Sequence, residues 1–233
     1  MNDSEIFAIY KAQSRNVRYL KQVIQSFKRD INSDIRKNKT FQVETKTKLL
    51  ALLYSAWSEA QFVQIAYTEK GFSGSEIKSL LNAKKNGITK GWIEMISLAF
   101  AKVGDPNTDI ELGNRLSKLL GLVASQITKP SSIRNKIAHG QWVEALNGSL
   151  NKVDSAMTGD LDSLDSVQIM RQIEIHNYLG KVIRDLVQSP ALGFGRDYLR
   201  HITALEKYAM ETQGWSVATK LSELDKKPVR YKL

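Results

Sequence analysis

Apolar side chains recur at every third or fourth position along the first part of the chain. The members of this stripe are Ile6, Tyr10, Val17, Leu20, Ile24, Phe27 and Ile31, and Gln13 interrupts it once. This spacing places the apolar groups on one face of an α-helix, so it predicts a long N-terminal helix over about residues 5–37. Such a narrow stripe packs either against a helical bundle or against a second copy of itself.

Basic residues flank this stripe and give the predicted helix a positive outer face. They are Lys11, Arg15, Arg18, Lys21, Lys28, Arg29, Arg36, Lys37 and Lys39. The whole chain carries a formal net charge of +10, and a basic surface attracts polyanions such as RNA. Two interpretations remain open for this face: the solvated side of a bundle helix, or a surface that binds RNA.

Six further stretches have helical periodicity and end at glycine, proline or asparagine. The predicted helices are 45–69, 75–85, 89–103, 110–127, 165–188 and 195–211. The helix 45–69 is the most apolar and is expected to be central, with Glu59 inside its apolar run either ion-paired or on an exposed rim. The segment Lys129-Pro130-Ser131-Ser132 predicts a break and an N-cap, from which a short helix carries Arg134 to His139.

Asn147-Gly148 separates two short runs, 141–146 and 149–153, and this dipeptide favours the type I′ turn of a β-hairpin. The segment 156–164 is predicted to be a polar loop. The sequence therefore predicts an all-α fold: one helical bundle over 1–233, with a β-hairpin inserted after the short helix and a C-terminal extension over about 190–233. Four basic residues lie at the end of this extension: Lys226, Lys227, Arg230 and Lys232.

The residue types that are absent exclude several kinds of site. The chain has no cysteine, which excludes disulfides, thiol nucleophiles and cysteine-ligated metals. Its three histidines are far apart and no His-Glu-x-x-His pattern occurs, so we expect neither a metal nor a cofactor. No signal-like N-terminus and no window of roughly 18 uninterrupted apolar residues is present, so we expect a soluble cytoplasmic protein that does not bind membranes.

An arginine precedes each histidine by five residues. The three pairs are Arg134/His139, Arg171/His176 and Arg196/His201, so the spacing alone does not select a site. His176 continues an apolar helix stripe and is predicted to be a core histidine. The pair Arg196/His201 lies on a helix of the C-terminal extension and is kept as a minor alternative for an active or binding site.

The surroundings of Arg134 and His139 favour this first pair. Ile133 and Ile137 are one turn apart and can anchor the short helix, whereas Asn135 and His139 share another face. Arginine keeps its charge and can clamp a phosphate, and histidine titrates near neutral pH. The alternative is a capped surface helix whose C-terminal histidine is stabilised by the helix dipole.

The run Ile133-Arg134-Asn135-Lys136-Ile137-Ala138-His139-Gly140 resembles the signature of the HEPN superfamily, an arginine, a polar residue and a following histidine within a helical bundle. This resemblance implies a metal-independent endoribonuclease, usually a homodimer with the two motif helices facing each other across a twofold axis. Many such proteins are toxins or phage-defence effectors. RNA supplies its own nucleophile, the 2′-OH, so the enzyme needs only acid–base help and positive charge.

The resemblance also implies the roles of the motif residues. Arg134 is expected to bind the scissile phosphate, His139 to act as the acid–base residue, and Asn135 to position His139 or the phosphate. Neighbouring residues expected to contact RNA are Lys136, Gln141 and Trp142. Trp142 offers either a stacking platform for a base or a buried aromatic ring.

Gln141 departs from one branch of the family. HEPN toxins controlled by a nucleotidyltransferase antitoxin commonly carry a tyrosine at this position, two residues after the histidine. We therefore expect any antitoxin or regulatory partner to act by another route. The alternative function is a non-catalytic module of the same fold that binds RNA or a protein through its basic first helix.

Overall fold

The computed structural model describes residues 1–226, and these residues form an all-helical structure. The α-helices are α1 (Asp3–Arg36), α2 (Thr40–Ala66), α3 (Gly74–Lys85), α4 (Ile88–Phe100), α5 (Ile110–Val123), α6 (Lys129–Ala138), α7 (Ser155–Asp162), α8 (Ser166–Gln188), α9 (Gly195–Glu211) and α10 (Val217–Asp225). Two π-helical turns, Ala124–Thr128 and Pro190–Phe194, precede α6 and α9. Lys227, Arg230 and Lys232 lie outside the described residues.

The predicted N-terminal helix is confirmed as α1, and it pairs with α2 in an antiparallel arrangement. A capping box between Asn2 and Glu5 starts α1, and four residues of the stripe are buried: Ile6, Val17, Ile24 and Ile31. Two polar contacts fix the antiparallel register, because Gln64 donates to Ser14 at one end (2.9 Å) and Lys46 pairs with Asp34 at the other (2.5 Å).

Helix α2 is central, because it runs through both clusters of buried apolar side chains. Leu50 and Trp57 belong to a cluster with α6, whereas Phe62 and Ile65 belong to a cluster with α3, α4 and α5. Helix α8 likewise contributes to both clusters. The two clusters are therefore joined by long helices. Within the described residues, no helix is both long and apolar enough to cross a membrane.

The predicted break and N-cap before α6 are wrong, because the helical path continues from α5 into α6. The π-turn Ala124–Thr128 joins them, and Thr128 makes no side-chain cap. Pro130 has no N–H and cannot bond to the carbonyl four residues earlier. That carbonyl belongs to Gln126, and it accepts a hydrogen bond from the Tyr54 hydroxyl instead. A donor on α2 thus replaces the one that proline lacks.

The predicted β-hairpin is also wrong. Residues 140–154 form a loop that contains one isolated antiparallel bridge, between Leu146 and Val153. The side chain of Asn147 accepts a hydrogen bond from the Asn151 N–H (3.1 Å), and the positive φ falls on Leu150 (55°) rather than on Asn147 and Gly148. The Asn-Gly pair therefore opens a wider turn than the two-residue turn of a hairpin.

The segment predicted as a polar loop, 156–164, is helical over most of its length. Asp154 caps α7 by accepting a hydrogen bond from the Met157 N–H (3.0 Å). The C-terminal extension is packed on the bundle, since Phe194 and Tyr198 are buried in the cluster with α4 and α5. Leu224 of α10 is buried in the cluster with α6.

Replacing Tyr54 with phenylalanine tests the hydroxyl that compensates for Pro130. The hydroxyl also lies 3.1 Å from Nδ1 of the buried His176, so Tyr54→Phe leaves two polar groups without their partner. Each unsatisfied group costs about 1–3 kcal/mol, and the free energy of unfolding is expected to fall by at least the lower figure. Urea unfolding measures the change. Tyr19→Phe is the control, because Tyr19 is 67% exposed; equal stabilities of the two variants would contradict this role.

Candidate functional site

The faces predicted for the motif helix are those observed for α6. Ile133 and Ile137 are buried in the apolar cluster to which α2 and α8 also contribute, and Asn135 and His139 are exposed. His139 is the C-cap residue, and its N–H donates to the Asn135 carbonyl (3.1 Å). Gly140 follows with a φ of 80°, where glycine meets no steric penalty. The helix therefore ends at the imidazole, which faces solvent.

Arg134 lies against α2, where two side chains bond to its guanidinium group. Its Nε donates to the Ser55 hydroxyl (3.0 Å), and its Nη2 donates to the Glu59 carboxylate. Lys84 of α3 also donates to Glu59 (3.0 Å). One carboxylate thus serves two cations, and this group of three side chains keeps a net positive charge.

The sequence indicated the surroundings of Glu59 but not the identity of its partner. Of the two outcomes expected for Glu59, an ion pair or a place on the exposed rim, the ion pair is observed, and the side chain is 30% exposed. Its partner lies 75 residues away in sequence, and no local pattern connects the two positions. Ser55 and Glu59 are one turn apart on α2, which is the spacing that lets both reach the same guanidinium.

Two of the residues expected to contact RNA hold the following loop in place. Lys136 donates through Nζ to the Leu146 carbonyl, and Gln141 accepts a hydrogen bond from the Leu146 N–H (2.7 Å). Trp142 is half-buried and packs against the cluster that contains Ile133 and Ile137. All three residues therefore have a structural role, and the exposed polar groups of the motif are Asn135 and His139.

The second arginine–histidine pair is structural. Arg171 donates to the Thr212 hydroxyl (2.9 Å) and to the Ala209 carbonyl (2.8 Å). His176 is fully buried, as predicted, with the rings of Trp57 and Trp92 at 4.9 and 5.5 Å. Burial lowers the pKa of His176 to about 3, with a smaller effect from the charge of Lys21. A buried neutral histidine without solvent access is not a candidate acid or base.

The third pair belongs to a cluster of ion pairs on α8 and α9. Arg196 and Arg200 both contact Asp197, at 2.6 and 3.4 Å. The Nε2 atom of His201 lies 3.2 Å from Asp185, and this histidine side chain is 14% exposed. Each charged group here pairs with a group of opposite charge, so the charges are balanced within the cluster. Within residues 1–226, no group of three or more His, Asp and Glu residues could hold a metal ion.

The buried His176 predicts a loss of stability in acid. Its pKa is 6.5 in the unfolded chain and about 3 in the folded protein, so the unfolded state binds the additional proton between these values. The free energy of unfolding is therefore expected to decrease as the pH falls from about 6.5 towards 3, by up to about 1.4 kcal/mol per pH unit from this residue.

The variant His176→Gln isolates this effect from the titration of carboxylates. Urea unfolding at pH 8, 7, 6, 5 and 4 is expected to give free energies of unfolding for wild type and variant that change in parallel between pH 8 and pH 7. Below pH 6 the free energy of unfolding of the wild type should fall more steeply than that of the variant. The difference in slope corresponds to one additional proton bound by the unfolded wild type. Equal slopes in acid would show that His176 is not neutral in the folded protein.

The comparisons with known proteins assign no family to this chain. No protein-family model matches it, and neither the curated proteins nor the solved structures contain a match.

Proposed function

We propose that this protein is a metal-independent endoribonuclease of HEPN type. The observation that carries the proposal is the run Arg134-Asn135-x-x-x-His139 on a helix whose apolar residues are buried and whose Asn135 and His139 are exposed. An exposed imidazole at a helix end can approach a large substrate, which His176 cannot. The net charge of +10 favours a polyanionic substrate.

The reaction is an attack by the RNA on its own backbone. The 2′-oxygen forms a bond to phosphorus while its proton passes to a base, and the bond from phosphorus to the 5′-oxygen breaks as that oxygen takes up a proton from an acid. The products are a 2′,3′-cyclic phosphate and a 5′-OH end. His139 supplies the acid–base function, and Asn135 positions it or the phosphate. DNA lacks the 2′-OH and is not a substrate.

Arg134 neutralises the phosphate in this proposal, and its contacts give a route to that role. A phosphate that displaces Glu59 from Arg134 leaves Glu59 bonded to Lys84, so no carboxylate loses all its partners. Arginine binds phosphate by a planar pair of N–H groups. The 28% exposure of the Arg134 side chain allows an anion to reach it.

A homodimer completes the site, because one motif helix supplies one imidazole and the reaction uses both a base and an acid. The loop that follows His139 exposes three apolar side chains: Val143 (69%), Leu150 (65%) and Val153 (43%). Exposed apolar groups beside a polar site are typical of protein interfaces. We propose that this loop contacts the second copy and places two copies of His139 near one phosphate.

The biological role proposed here is that of a toxin or antiviral defence effector in the cytoplasm. Such an enzyme needs an antitoxin or another regulatory partner to limit its activity. Gln141 is bonded to the Leu146 backbone and carries no hydroxyl to be modified, so we propose that a partner acts by binding rather than by modifying this position.

The test of catalysis is cleavage of a labelled single-stranded RNA in the presence of EDTA. His139→Ala is expected to lower the rate by at least about 100-fold, as expected for the loss of an acid–base residue. Because His139 is exposed, this variant should keep the wild-type stability. The matched control is His201→Ala, which changes the third arginine–histidine pair and should retain most activity.

Several results would contradict this proposal. They are persistent cleavage by purified His139→Ala, loss of cleavage on addition of EDTA, and loss of activity in His201→Ala alone. End mapping of the products should show 2′,3′-cyclic phosphates. Arg134→Ala is a weaker test, because the substitution also removes the contacts to Ser55 and Glu59, and its folding must be verified by circular dichroism.

A second candidate function is RNA binding by α1 without catalysis. The observation that favours it is the exposure of Arg15, Arg18 and Tyr19 on one face of this helix, with Tyr19 67% exposed. Guanidinium groups contact phosphates, and an exposed aromatic ring stacks on bases.

Reversing two charges on α1 tests this surface. The double variant Arg15→Glu, Arg18→Glu is expected to lower the affinity for single-stranded RNA by at least about tenfold and to weaken its salt dependence. Fluorescence anisotropy at two salt concentrations measures both effects. Lys78→Glu, Lys85→Glu on α3 makes the same change in net charge at other exposed positions; an equal loss of affinity in this control would assign binding to net charge rather than to α1.

A further inference from the structure

A groove of about 370 Å³ lies between α1, α8 and the turn that joins α9 to α10. Its apolar side consists of Ile24 and Ile31 of α1 and Ile173 of α8, all of them buried. Small-molecule sites have volumes of roughly 300–1,000 Å³ and combine an apolar lining with a few polar groups. No residue of α6 lines this groove, so it is separate from the proposed ribonuclease site.

The charges around the groove are mostly positive. Lys21, Lys28, Arg171 and Lys220 line it, and Glu174 supplies the one carboxylate among the described lining residues. The hydrogen bonds of Arg171 to described residues go to a hydroxyl and a carbonyl, and these neutral partners do not neutralise its charge. Lys220 is paired with Glu223 (2.9 Å). An anion placed here meets at least three cations whose charge the described carboxylates only partly balance.

Two aromatic side chains form one wall. Tyr208 and Trp215 line the groove, with ring centroids 6.4 Å apart and an angle of 77° between the rings. Trp215 is 42% exposed, and its backbone is fixed, because its carbonyl accepts a hydrogen bond from Gln168 and its N–H donates to Thr212 (3.1 Å). An exposed indole on a rigid turn offers a stacking surface for a flat ring.

A buried hydroxyl also belongs to this groove. Ser166 is 2% exposed, and its Oγ has no hydrogen-bond partner within the described residues. Ser166 lines the groove beside Val167. An unpaired buried hydroxyl is costly unless another group bonds to it. The Oγ atom is fully enclosed, so a hydrogen bond to a ligand in the groove requires a rotation about the Cα–Cβ bond of Ser166.

We propose that this groove binds a small anion that carries an aromatic ring, with the ring against Trp215 and Tyr208 and the anionic group among Lys21, Lys28 and Arg171. The hydroxyl of Ser166 bonds to the ligand. The volume fits a small molecule, the cations fit an anionic group, and the aromatic wall fits a flat ring. The proposal does not depend on ribonuclease activity.

The experiment uses two probes that differ in their ring, AMP and 1-naphthyl phosphate, in titration calorimetry with the full-length protein. Adenosine lacks the charge and inorganic phosphate lacks the ring, so both are expected to bind at least tenfold more weakly. Trp215→Ala is expected to lower the affinity for the two probes by about tenfold, which corresponds to one stacked ring. Failure of both probes to bind at millimolar concentration would overturn the proposal.

Neighbouring residues of α1 supply a matched pair of variants. Lys28 lines the groove and Arg29 does not, although both are exposed. Lys28→Gln is expected to lower probe affinity at least threefold, and Arg29→Gln, with the same change in charge, should leave it unchanged. Equal losses in the two variants would show general electrostatic attraction and overturn a defined site.

The variant Ser166→Ala separates a ligand contact from a structural role. Because the hydroxyl has no partner among residues 1–226, its removal should leave the free energy of unfolding unchanged or slightly higher, while probe affinity falls at least threefold. Unchanged affinity would remove Ser166 from the site. A short single-stranded RNA is titrated in parallel to test whether it competes with AMP. Competition would show that the groove binds a nucleotide within an RNA strand, and lack of competition would show that it binds a free small molecule.

Discussion

The hydroxyl of Tyr54 connects three parts of the bundle, and the position of the motif helix depends on it. The Gln126 carbonyl can only accept a hydrogen bond, so the Tyr54 hydroxyl donates to it. The hydroxyl oxygen then accepts from Nδ1 of His176, which fixes the tautomer of this buried histidine. Helices α2 and α8 and the π-turn before α6 are thereby joined at one oxygen atom. These directional hydrogen bonds give the packing of the surrounding apolar side chains a specific register.

Long-range periodicity made most of the fold predictable from the sequence. The stripe of α1 and the apolar run of α2 bury their faces as expected, and His176 continued a stripe that proved to be core. These patterns extend over many turns, so a single deviating residue such as Gln13 does not change the prediction. The motif helix was likewise predictable, because Ile133 and Ile137 define its buried side and leave Asn135 and His139 outside.

The failures concern short segments where a few local interactions compete. Asn147 and Gly148 favour a tight turn, but the Asn147 side chain bonds to the Asn151 backbone instead. Pro130 favours a break, but Tyr54 supplies the missing donor from another helix. The pairing of Arg134 with Glu59 joins positions far apart in sequence. No local pattern in the sequence indicates such contacts, because they form only when the bundle has assembled.

The π-turn before α6 has a consequence for how chains of this type can vary in length. A π-turn contains one residue more than an α-turn, and each residue advances a helix by about 100°. Loss of one residue from Ala124–Thr128 would turn this π-turn into an α-turn and leave Ile133 and Ile137 facing the core. Loss of one residue from the α-helical part of α5 or α6 would instead rotate everything after it by about 100°. The segment Ala124–Thr128 can therefore shorten by one residue without changing the side on which α6 presents Asn135 and His139, whereas the regular helices that flank it cannot.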